Sequence, residues 1–353
     1  MKPPARTVVY VANADSHDIA VLALDSDGVG HQDDGGGGGR KLAELQRVAC
    51  GGRVMPLAVS PDRRFLHASI RSVPHRVLSF AIDPLDGRLR ALGEAPLPAS
   101  MCWISTDRRG RFLLGAAYDG SLVSVSPIGP DGVVGAAQQV IPTEPKAHAF
   151  QVDAANRFAF ASCLGGELIR QFRFDADSGR LEDNDPAAWR GRPGAGPRHF
   201  VFHPDLPFVY LLNELDGSLD VLSFDAGRGH LATVQTLSAL PPGVAVDKPW
   251  AADLHLRPDG RFLYASERRS STLAAFAVDT ATGQLTPMGS TPTESEPRGF
   301  AISPDGRFLI AVGQASHRLS RYAIDAASGV LSKLGDQPVG QNPNWVEIVD
   351  LPA

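Results

Sequence analysis

Short hydrophobic runs alternate with polar turn residues along most of this chain, and one arrangement of the two recurs six times. Each copy consists of an apolar strand, a turn related to Ser-Pro-Asp-Gly-Arg, and a second apolar strand that begins with phenylalanine. The six phenylalanines, which follow one another at intervals of about 50 residues, are Phe65, Phe112, Phe158, Phe208, Phe262 and Phe308. Proline fixes φ and glycine accepts positive φ, so each copy predicts a β-hairpin.

A third and a fourth short strand follow the hairpins, as in residues 218–224 and 231–239. Four-stranded units at this period are typical of β-propeller blades. The chain begins in the middle of a repeat, because residues 8–13 and 18–25 match second and third strands, whereas residues 343–349 match first strands. We therefore predict an all-β, seven-bladed propeller of four antiparallel strands per blade, closed by a blade that both termini build.

The repeats leave no room for a second domain, so we predict a single propeller domain over residues 1–353. Residues 31–41 interrupt the first blade and contain five consecutive glycines. Glycine offers no side chain to a core, and this segment is predicted to be a flexible hairpin loop.

Net charge, apolar runs and cysteine spacing argue against several classes of function and favour one cellular compartment. A formal net charge of -5 argues against a binder of nucleic acid or of a membrane surface. No apolar run reaches the length of a membrane span, and the N-terminal residues lack the apolar stretch of a signal peptide. The three cysteines, Cys50, Cys102 and Cys163, are widely spaced and indicate reduced thiols, which favours the cytoplasm. We expect a monomer or a weak dimer.

Polar residues at the strand ends indicate where chemistry could take place. In residues 196–214, Arg198 and His199 begin one strand, and Asn213 and Glu214 end the next. The start of one strand and the end of its antiparallel neighbour lie on the same edge of a sheet. A cation, an imidazole and a carboxylate are therefore expected to converge on one rim as an acid/base group.

The other repeats place similar residues on the same rim, and several of them are arginines. A guanidinium presents a planar fork that suits phosphate and carboxylate groups, so the rim is predicted to bind a small anion. First-strand starts and second-strand ends contribute Met55, Arg71, Trp103, Tyr118, His148, Arg198, Asn213, Glu214, Trp250, Asp253, Arg268, Arg298, His317 and Trp345.

Longer motifs resemble a known family over nearly the whole chain. They include GPRHFVFHP (196–204), WAADLHLRPDGRFLYASER (250–268), PTESEPRGF (292–300) and VGQNPNWVEI (339–348). These motifs are similar to those of the propeller-type bacterial 6-phosphogluconolactonases, a lactonase family that also contains fungal carboxymuconate-lactonizing enzymes. The resemblance implies a carboxylic ester hydrolase of the pentose phosphate pathway. Its substrate would be an anionic sugar lactone, 6-phospho-D-glucono-1,5-lactone, opened to 6-phosphogluconate without a metal or other cofactor.

The resemblance also implies a catalytic set, which corresponds by motif to His148, Arg198, Glu214 and Arg268. Lactone hydrolysis needs a base that activates water, and either Glu214 or His148 could supply it. It also needs a cation beside the carbonyl oxygen, which either Arg198 or Arg268 could provide.

The substrate and its phosphate require further contacts. Candidates for this binding role are Arg71, Arg298, His317, Tyr118 and Asn213.

Several rim residues have structural interpretations instead. Strand alternation places His199 on the face opposite Arg198 and favours a packing role, whereas His203 occupies the serine position of a Ser-Pro-Asp-Gly turn. Trp103, Trp250 and Trp345 could line the channel wall or stack on a sugar. The Asp of the WAAD motif and Glu214 could alternatively form part of a divalent metal site.

Other functions remain open from the sequence. The chain could act on an unphosphorylated aldonolactone, or could be a cycloisomerase that makes or opens a muconolactone. It could also be a propeller scaffold, although the periodic Trp-Asp signature of WD40 scaffolds is absent.

Overall fold

The computed structural model describes residues 7–24, 42–243 and 245–352. These residues form 28 β-strands arranged in seven four-stranded antiparallel sheets, as predicted for a seven-bladed propeller. Among the described residues, no helix has the length and hydropathy to cross a bilayer. The glycine-rich insert at 31–41 lies outside the described residues.

The strands follow one another along the chain with short connections. Their bounds are β1 (Thr7–Asn13), β2 (Asp18–Leu24), β3 (Ala43–Ala49), β4 (Val54–Val59), β5 (Phe65–Ile70), β6 (Arg76–Ile82), β7 (Leu89–Pro96), β8 (Trp103–Thr106), β9 (Phe112–Ala117), β10 (Leu122–Pro127), β11 (Gln139–Pro142), β12 (Ala147–Val152), β13 (Phe158–Cys163), β14 (Leu168–Phe174), β15 (Leu181–Arg190), β16 (Pro197–Phe202), β17 (Phe208–Asn213), β18 (Ser218–Asp225), β19 (His230–Ser238), β20 (Ala251–Leu256), β21 (Phe262–Glu267), β22 (Thr272–Val278), β23 (Leu285–Pro292), β24 (Pro297–Ile302), β25 (Phe308–Gly313), β26 (Arg318–Ile324), β27 (Leu331–Pro338) and β28 (Pro343–Asp350).

Six blades use four successive strands each, from β4–β7 to β24–β27, and the seventh has the order β28-β1-β2-β3. The prediction of a blade built from both ends of the chain is therefore confirmed. Strand β28 pairs with β1 from Thr7 opposite Asp350 to Asn13 opposite Pro343, and Thr7 Oγ1 donates a 2.6 Å hydrogen bond to Asp350. Because of this pairing, β1 is hydrogen-bonded on both sides, to β28 and to β2.

The turns between first and second strands are held by the side chain that opens them. Asp107 accepts hydrogen bonds from the backbone N–H groups of Arg111 and Phe112. His203 does the same with Nδ1, which accepts hydrogen bonds from Asp205 N and Leu206 N. The interpretation of His203 as a turn residue is confirmed, and the aromatic that follows each turn begins a second strand at all six positions.

Neighbouring blades meet where these phenylalanines pack on glycine. Gly283, with φ of +68°, lies against the ring of Phe208 in the preceding blade, and a Cβ there would stand 2.3 Å from a ring atom. Tyr210 Oη also donates to Gly283 O at 3.0 Å. The same contact recurs, with a Cβ at 2.2–2.4 Å from the ring, in the pairs Phe65–Gly132, Phe112–Gly179, Phe158–Gly229 and Phe262–Gly329.

We expect Gly283→Ala to destabilise the fold more than Gly194→Ala does. Both positions have positive φ, which costs about 1 kcal/mol for alanine. Only Gly283 is packed, because nothing lies within 4 Å of a Cβ at Gly194. Overpacking should add about 1–3 kcal/mol to the loss at Gly283. Urea unfolding of the two variants would test this, and equal midpoints would contradict the packing role of the glycine.

Candidate active site

First strands share a local irregularity at the end where the predicted site lies. In β16, Pro197 pairs with Asn213 and His199 with Leu212, so that Arg198 is an extra, bulged residue. The same register shift occurs in β12, β24, β4, β20 and β28, where the unpaired residues are His148, Arg298, Met55 with Pro56, Ala252 with Asp253, and Asn344. A bulge bends the strand and re-aims the side chain that it carries.

The bulge corrects the expectation for His199. Strict alternation would place it on the face opposite Arg198, but the extra residue breaks the alternation at that point. Both side chains consequently lie on the inner side of the ring. Arg198 reaches Glu214, and His199 contacts the rings of His148 and Trp103.

A cavity of about 260 Å³, here called the arginine cavity, lies at this end of the first strands. It brings together residues from first-strand starts and from the loops after second strands, as the sequence predicts. Its lining consists of Arg71, Cys102, Tyr118, Asp119, His148, Arg198, Glu214, Trp250, Arg268 and Arg298.

Glu214 lies between two buried arginines at the base of this cavity. Its Oε2 accepts hydrogen bonds from Arg198 Nε at 2.7 Å and from Arg268 Nη2 at 3.0 Å. Arg198 also donates to the carbonyl of Ala252 in the next blade. Since Arg198 is 1% exposed and Arg268 is 3% exposed, both guanidinium groups are held in fixed positions.

Trp250 forms the support for Arg268. The guanidinium carbon lies 3.8 Å from the centroid of the indole ring, a cation–π contact. Arg268 Nε donates to Trp250 O at 2.9 Å, and its Nη2 donates to Ala251 O at 3.0 Å. Trp250 therefore has a definite role in the site, which the sequence left open between packing and sugar stacking.

The charges in the cavity strongly affect one another. Burial alone would raise the pKa of Glu214, but Arg198 and Arg268 outweigh it and lower that pKa below its ordinary value, so the carboxylate is ionised. Burial and the neighbouring Arg198 lower the pKa of Arg298 to about 10, so it remains a cation near neutral pH. The cavity thus has an excess of positive charge, which favours an anionic ligand or a developing oxyanion.

His148 is a neutral base at the edge of this charged group. Its side chain is buried and lies edge-on to Tyr118, with 5.7 Å between the ring centroids. Burial, followed by the charge of Arg198, lowers the pKa of His148 well below 6.5. The imidazole is therefore unprotonated near neutral pH and can accept a proton.

A second cavity of about 670 Å³, the rim cavity, adjoins the first. The two share Arg71, Asp119 and Arg298 as lining residues. Arg71 is tethered by a 2.9 Å hydrogen bond from Nε to Ser100 Oγ, whereas the Arg298 side chain has no hydrogen bond or ion pair to another described residue. Two guanidinium groups therefore stand at the junction of the cavities, and that of Arg298 has no fixed partner.

Two predicted binding residues lie elsewhere. Asn213 is fully buried and donates from Nδ2 to Ser218 and Asp220 in its own blade. His317 accepts a 3.1 Å hydrogen bond from Asn342 N with Nδ1, and it lines neither cavity. Both side chains hold loops at the rim.

The sequence also left open a divalent metal site that would include Asp253 and Glu214. Asp253 instead pairs with His199, and Glu214 with the two arginines. No group of three or more His, Cys, Asp or Glu side chains in the described part of the chain is arranged to hold a metal ion.

The chain is similar to known proteins over most of its length. Residues 36–348 match the family described as "Lactonase, 7-bladed beta-propeller". The chain is 43% identical over 344 residues to a 6-phosphogluconolactonase of Pectobacterium carotovorum, covering 98% of this chain and 99% of the relative. It is 40% identical over 297 residues to a 6-phosphogluconolactonase of Serratia proteamaculans, covering 84% of this chain and 85% of the relative.

Solved structures show the same architecture. The periplasmic gluconolactonase of Pseudomonas aeruginosa superimposes with a TM-score of 0.89 at 30% identity, covering 99% of this chain and all of the other. The WD40 repeats of RRP9 superimpose with a TM-score of 0.65 at 13% identity, covering 97% of this chain and 90% of the other, which is a likeness of fold alone.

We expect Glu214→Gln to lower the free energy of unfolding by about 3 kcal/mol, because it leaves two buried guanidinium groups without a counter-charge. Glu182→Gln is the matched control, since its pair with Arg173 is largely exposed and should contribute about 0.5 kcal/mol or less. Chemical unfolding at pH 7 would measure both. Equal losses would contradict a stabilising role for Glu214.

The loss of stability in Glu214→Gln should also depend on pH. The folded pKa of Glu214 lies below its unfolded value of 4.5, so its carboxylate stabilises the fold above that pH. The stabilisation is lost as the pH falls through the folded pKa. The stability gap between the wild-type protein and Glu214→Gln should therefore be full at pH 7 and narrow below pH 4.5. A stability difference that grows as the pH falls would contradict a lowered pKa for Glu214.

Proposed function

Because the chain belongs to the lactonase family of seven-bladed β-propellers, we propose that it hydrolyses 6-phospho-D-glucono-1,5-lactone to 6-phosphogluconate. Relatives named 6-phosphogluconolactonase support this activity at 38–43% identity over most of the chain. The structural observation that carries the proposal is the pair Arg71 and Arg298, which lines both cavities. It offers a phosphate site beside an acid/base group.

The reacting carbonyl is proposed to lie in the arginine cavity. Water attacks the carbonyl carbon, and the negative charge that forms on the carbonyl oxygen is stabilised by Arg198 and Arg268, each worth about 3 kcal/mol as an oxyanion donor. The ring oxygen then leaves and takes a proton to become a hydroxyl group. The new carboxylic acid ionises in water.

Of the two candidate bases, we favour His148. The Glu214 oxygen Oε2 already accepts two hydrogen bonds from arginines, which reduces its affinity for a proton. His148 is not hydrogen-bonded through Nδ1 to any described residue. In this mechanism it takes the proton of the attacking water and returns it to the ring oxygen, while Glu214 keeps Arg198 and Arg268 in place.

The phosphate is proposed to bind at the junction of the two cavities. The guanidinium group of Arg298 has no hydrogen-bond partner among the described residues, and Arg71, held by Ser100 and Met55, lines the same junction. Two guanidinium forks match the oxygens of a phosphate.

Unphosphorylated gluconolactone is the second candidate substrate. The similarity to the periplasmic gluconolactonase of Pseudomonas aeruginosa favours it. Such a substrate would use the arginine cavity but would place no phosphate between Arg71 and Arg298. The two substrates therefore differ in their dependence on these arginines.

We propose that the reaction takes place in the cytoplasm. All three cysteines are buried and free, as suits a reducing compartment. A phosphorylated sugar lactone is charged and does not cross a membrane unaided. A monomer or a weak dimer remains our prediction for the state of assembly.

Enzyme-dependent turnover should be seen with freshly made 6-phosphogluconolactone, in an assay coupled to 6-phosphogluconate dehydrogenase. We expect the rate to exceed spontaneous hydrolysis and to survive EDTA, since the proposed groups are all side chains of this chain. A rate equal to the spontaneous one would contradict the proposed substrate. A rate abolished by EDTA would show that a metal ion takes part.

Arg71→Gln and Arg298→Gln should each raise KM for the phosphorylated lactone by about tenfold or more, because a charged hydrogen bond to phosphate is lost. The KM for unphosphorylated gluconolactone should change much less. Arg173→Gln, which removes an exposed arginine from another surface, is the control and should leave both values unchanged. Equal losses on both lactones would mean that the two arginines serve the reacting carbonyl.

A further inference from the structure

A carboxylate–imidazole pair that the proposed mechanism does not use lies directly beside His148. His199 is 3% exposed, and its Nδ1 lies 2.8 Å from Asp253 Oδ1. Burial opposes ionisation of Asp253, but His255 and His199 lower its pKa well below the ordinary value. An ionised carboxylate only accepts hydrogen bonds, so His199 must carry a proton on Nδ1.

Asp253 is itself firmly positioned. It accepts hydrogen bonds from Leu254 N at 2.9 Å and from Phe300 N in the following blade at 3.2 Å, and it pairs with His255 Nε2 at 3.2 Å. His199 belongs to the preceding blade. The carboxylate therefore ties three successive blades together and fixes the imidazole that faces it.

The proton on Nδ1 determines the chemistry of the other ring nitrogen. Burial and the charge of Arg198 lower the pKa of His199 to about 3, so the ring is neutral and Nε2 carries a lone pair. This Nε2 is buried and has no hydrogen-bond partner among the described residues. Leaving a buried acceptor without a partner destabilises the fold, so a donor is expected nearby.

His148 provides that donor. Its ring lies edge-on to His199, with 5.1 Å between the centroids and 68° between the planes. Its Nδ1 is also buried without a partner among the described residues. If His148 carries its proton on Nδ1, a small ring rotation or one water molecule joins this N–H to the lone pair of His199. Both unpaired nitrogens are then satisfied.

We propose that Asp253 and His199 act as a positioning pair that fixes the tautomer of His148. His148 then holds its proton on Nδ1 and presents Nε2, with a lone pair, to the arginine cavity as the base. The tautomer does not depend on the proposed function, whereas its consequence for turnover rests on it. His199 and Asp253 act through His148 and do not touch the substrate.

Trp103 is the competing donor. Its ring centroid lies 4.8 Å from that of His199, and its Nε1 is also buried without a partner among the described residues. If the indole N–H bonded to His199 Nε2, the tautomer of His148 would not be fixed. The experiment must therefore separate the two donors.

Long-range 1H–15N spectra of histidine-labelled protein report the tautomer directly. We expect the His148 signals, assigned by their loss in His148→Gln, to show the Nδ1–H form in the wild-type protein. Asp253→Asn, which keeps the size of the side chain, should shift His148 towards the Nε2–H form. An Nε2–H form in the wild-type protein, or an unchanged tautomer in Asp253→Asn, would overturn the proposal.

Kinetics provide the second readout, on whichever lactone the protein turns over. Asp253→Asn should lower kcat by about tenfold or more, as expected for a base in the wrong tautomer, with KM little changed. Trp103→Phe removes the indole N–H but keeps an aromatic ring, and it should change kcat by less than about twofold. A loss in Trp103→Phe equal to that in Asp253→Asn would overturn the proposal in favour of the indole donor. The expected tautomer without lactone turnover would contradict the proposed function alone.

Discussion

The pairing of β28 with β1 is the interaction on which the ring depends. Without it, the closing blade would be split into β28 and β1–β3, and the first strands would have no common axis to surround. Closure brings the start of every first strand to one rim, next to the end of every second strand. Residues that are far apart in the chain, such as His148 and Arg298, therefore line one cavity.

The site that closure creates is dominated by desolvated positive charge. Arg198 and Arg268 are almost entirely buried, and Glu214 compensates for only part of their charge. Burying such charged groups costs desolvation free energy. In return, a fold that holds them in place has them already oriented when the substrate binds. Backbone carbonyls supply that orientation: Arg198 is tethered to Ala252 in the next blade and Arg268 to Ala251 in its own blade.

The sequence predicts the fold in detail because its cues are local and repeated. The turn and the phenylalanine that follows it define each hairpin, and matching the two ends of the chain to the repeat predicts the closing blade. For the site, the rule that strand starts and ends share a rim brings Arg198, Glu214 and Arg268 together, as the structure does. The roles of these residues in catalysis remain a prediction.

Other features of the site depend on the register between strands, which a single sequence does not reveal. The bulge at Arg198 overturns the alternation that placed His199 on the other face. The bond between His199 and Asp253 joins two blades and has no local signal. Asn213 and His317 have polar side chains in rim positions but are used to hold loops, through Ser218 for Asn213 and through Asn342 for His317.

The repeated bulge has a consequence for how such a molecule can change over evolution. Each bulged residue stands outside the ladder of hydrogen bonds, so its side chain can be exchanged while the pairing on either side is preserved. If the blades arose by duplication of one repeat, their bulged residues were at first the same residue in every blade. The bulged position of the first strand holds histidine in one blade and arginine in two others. Substitution at this position can therefore change the chemistry of the site while the fold is kept.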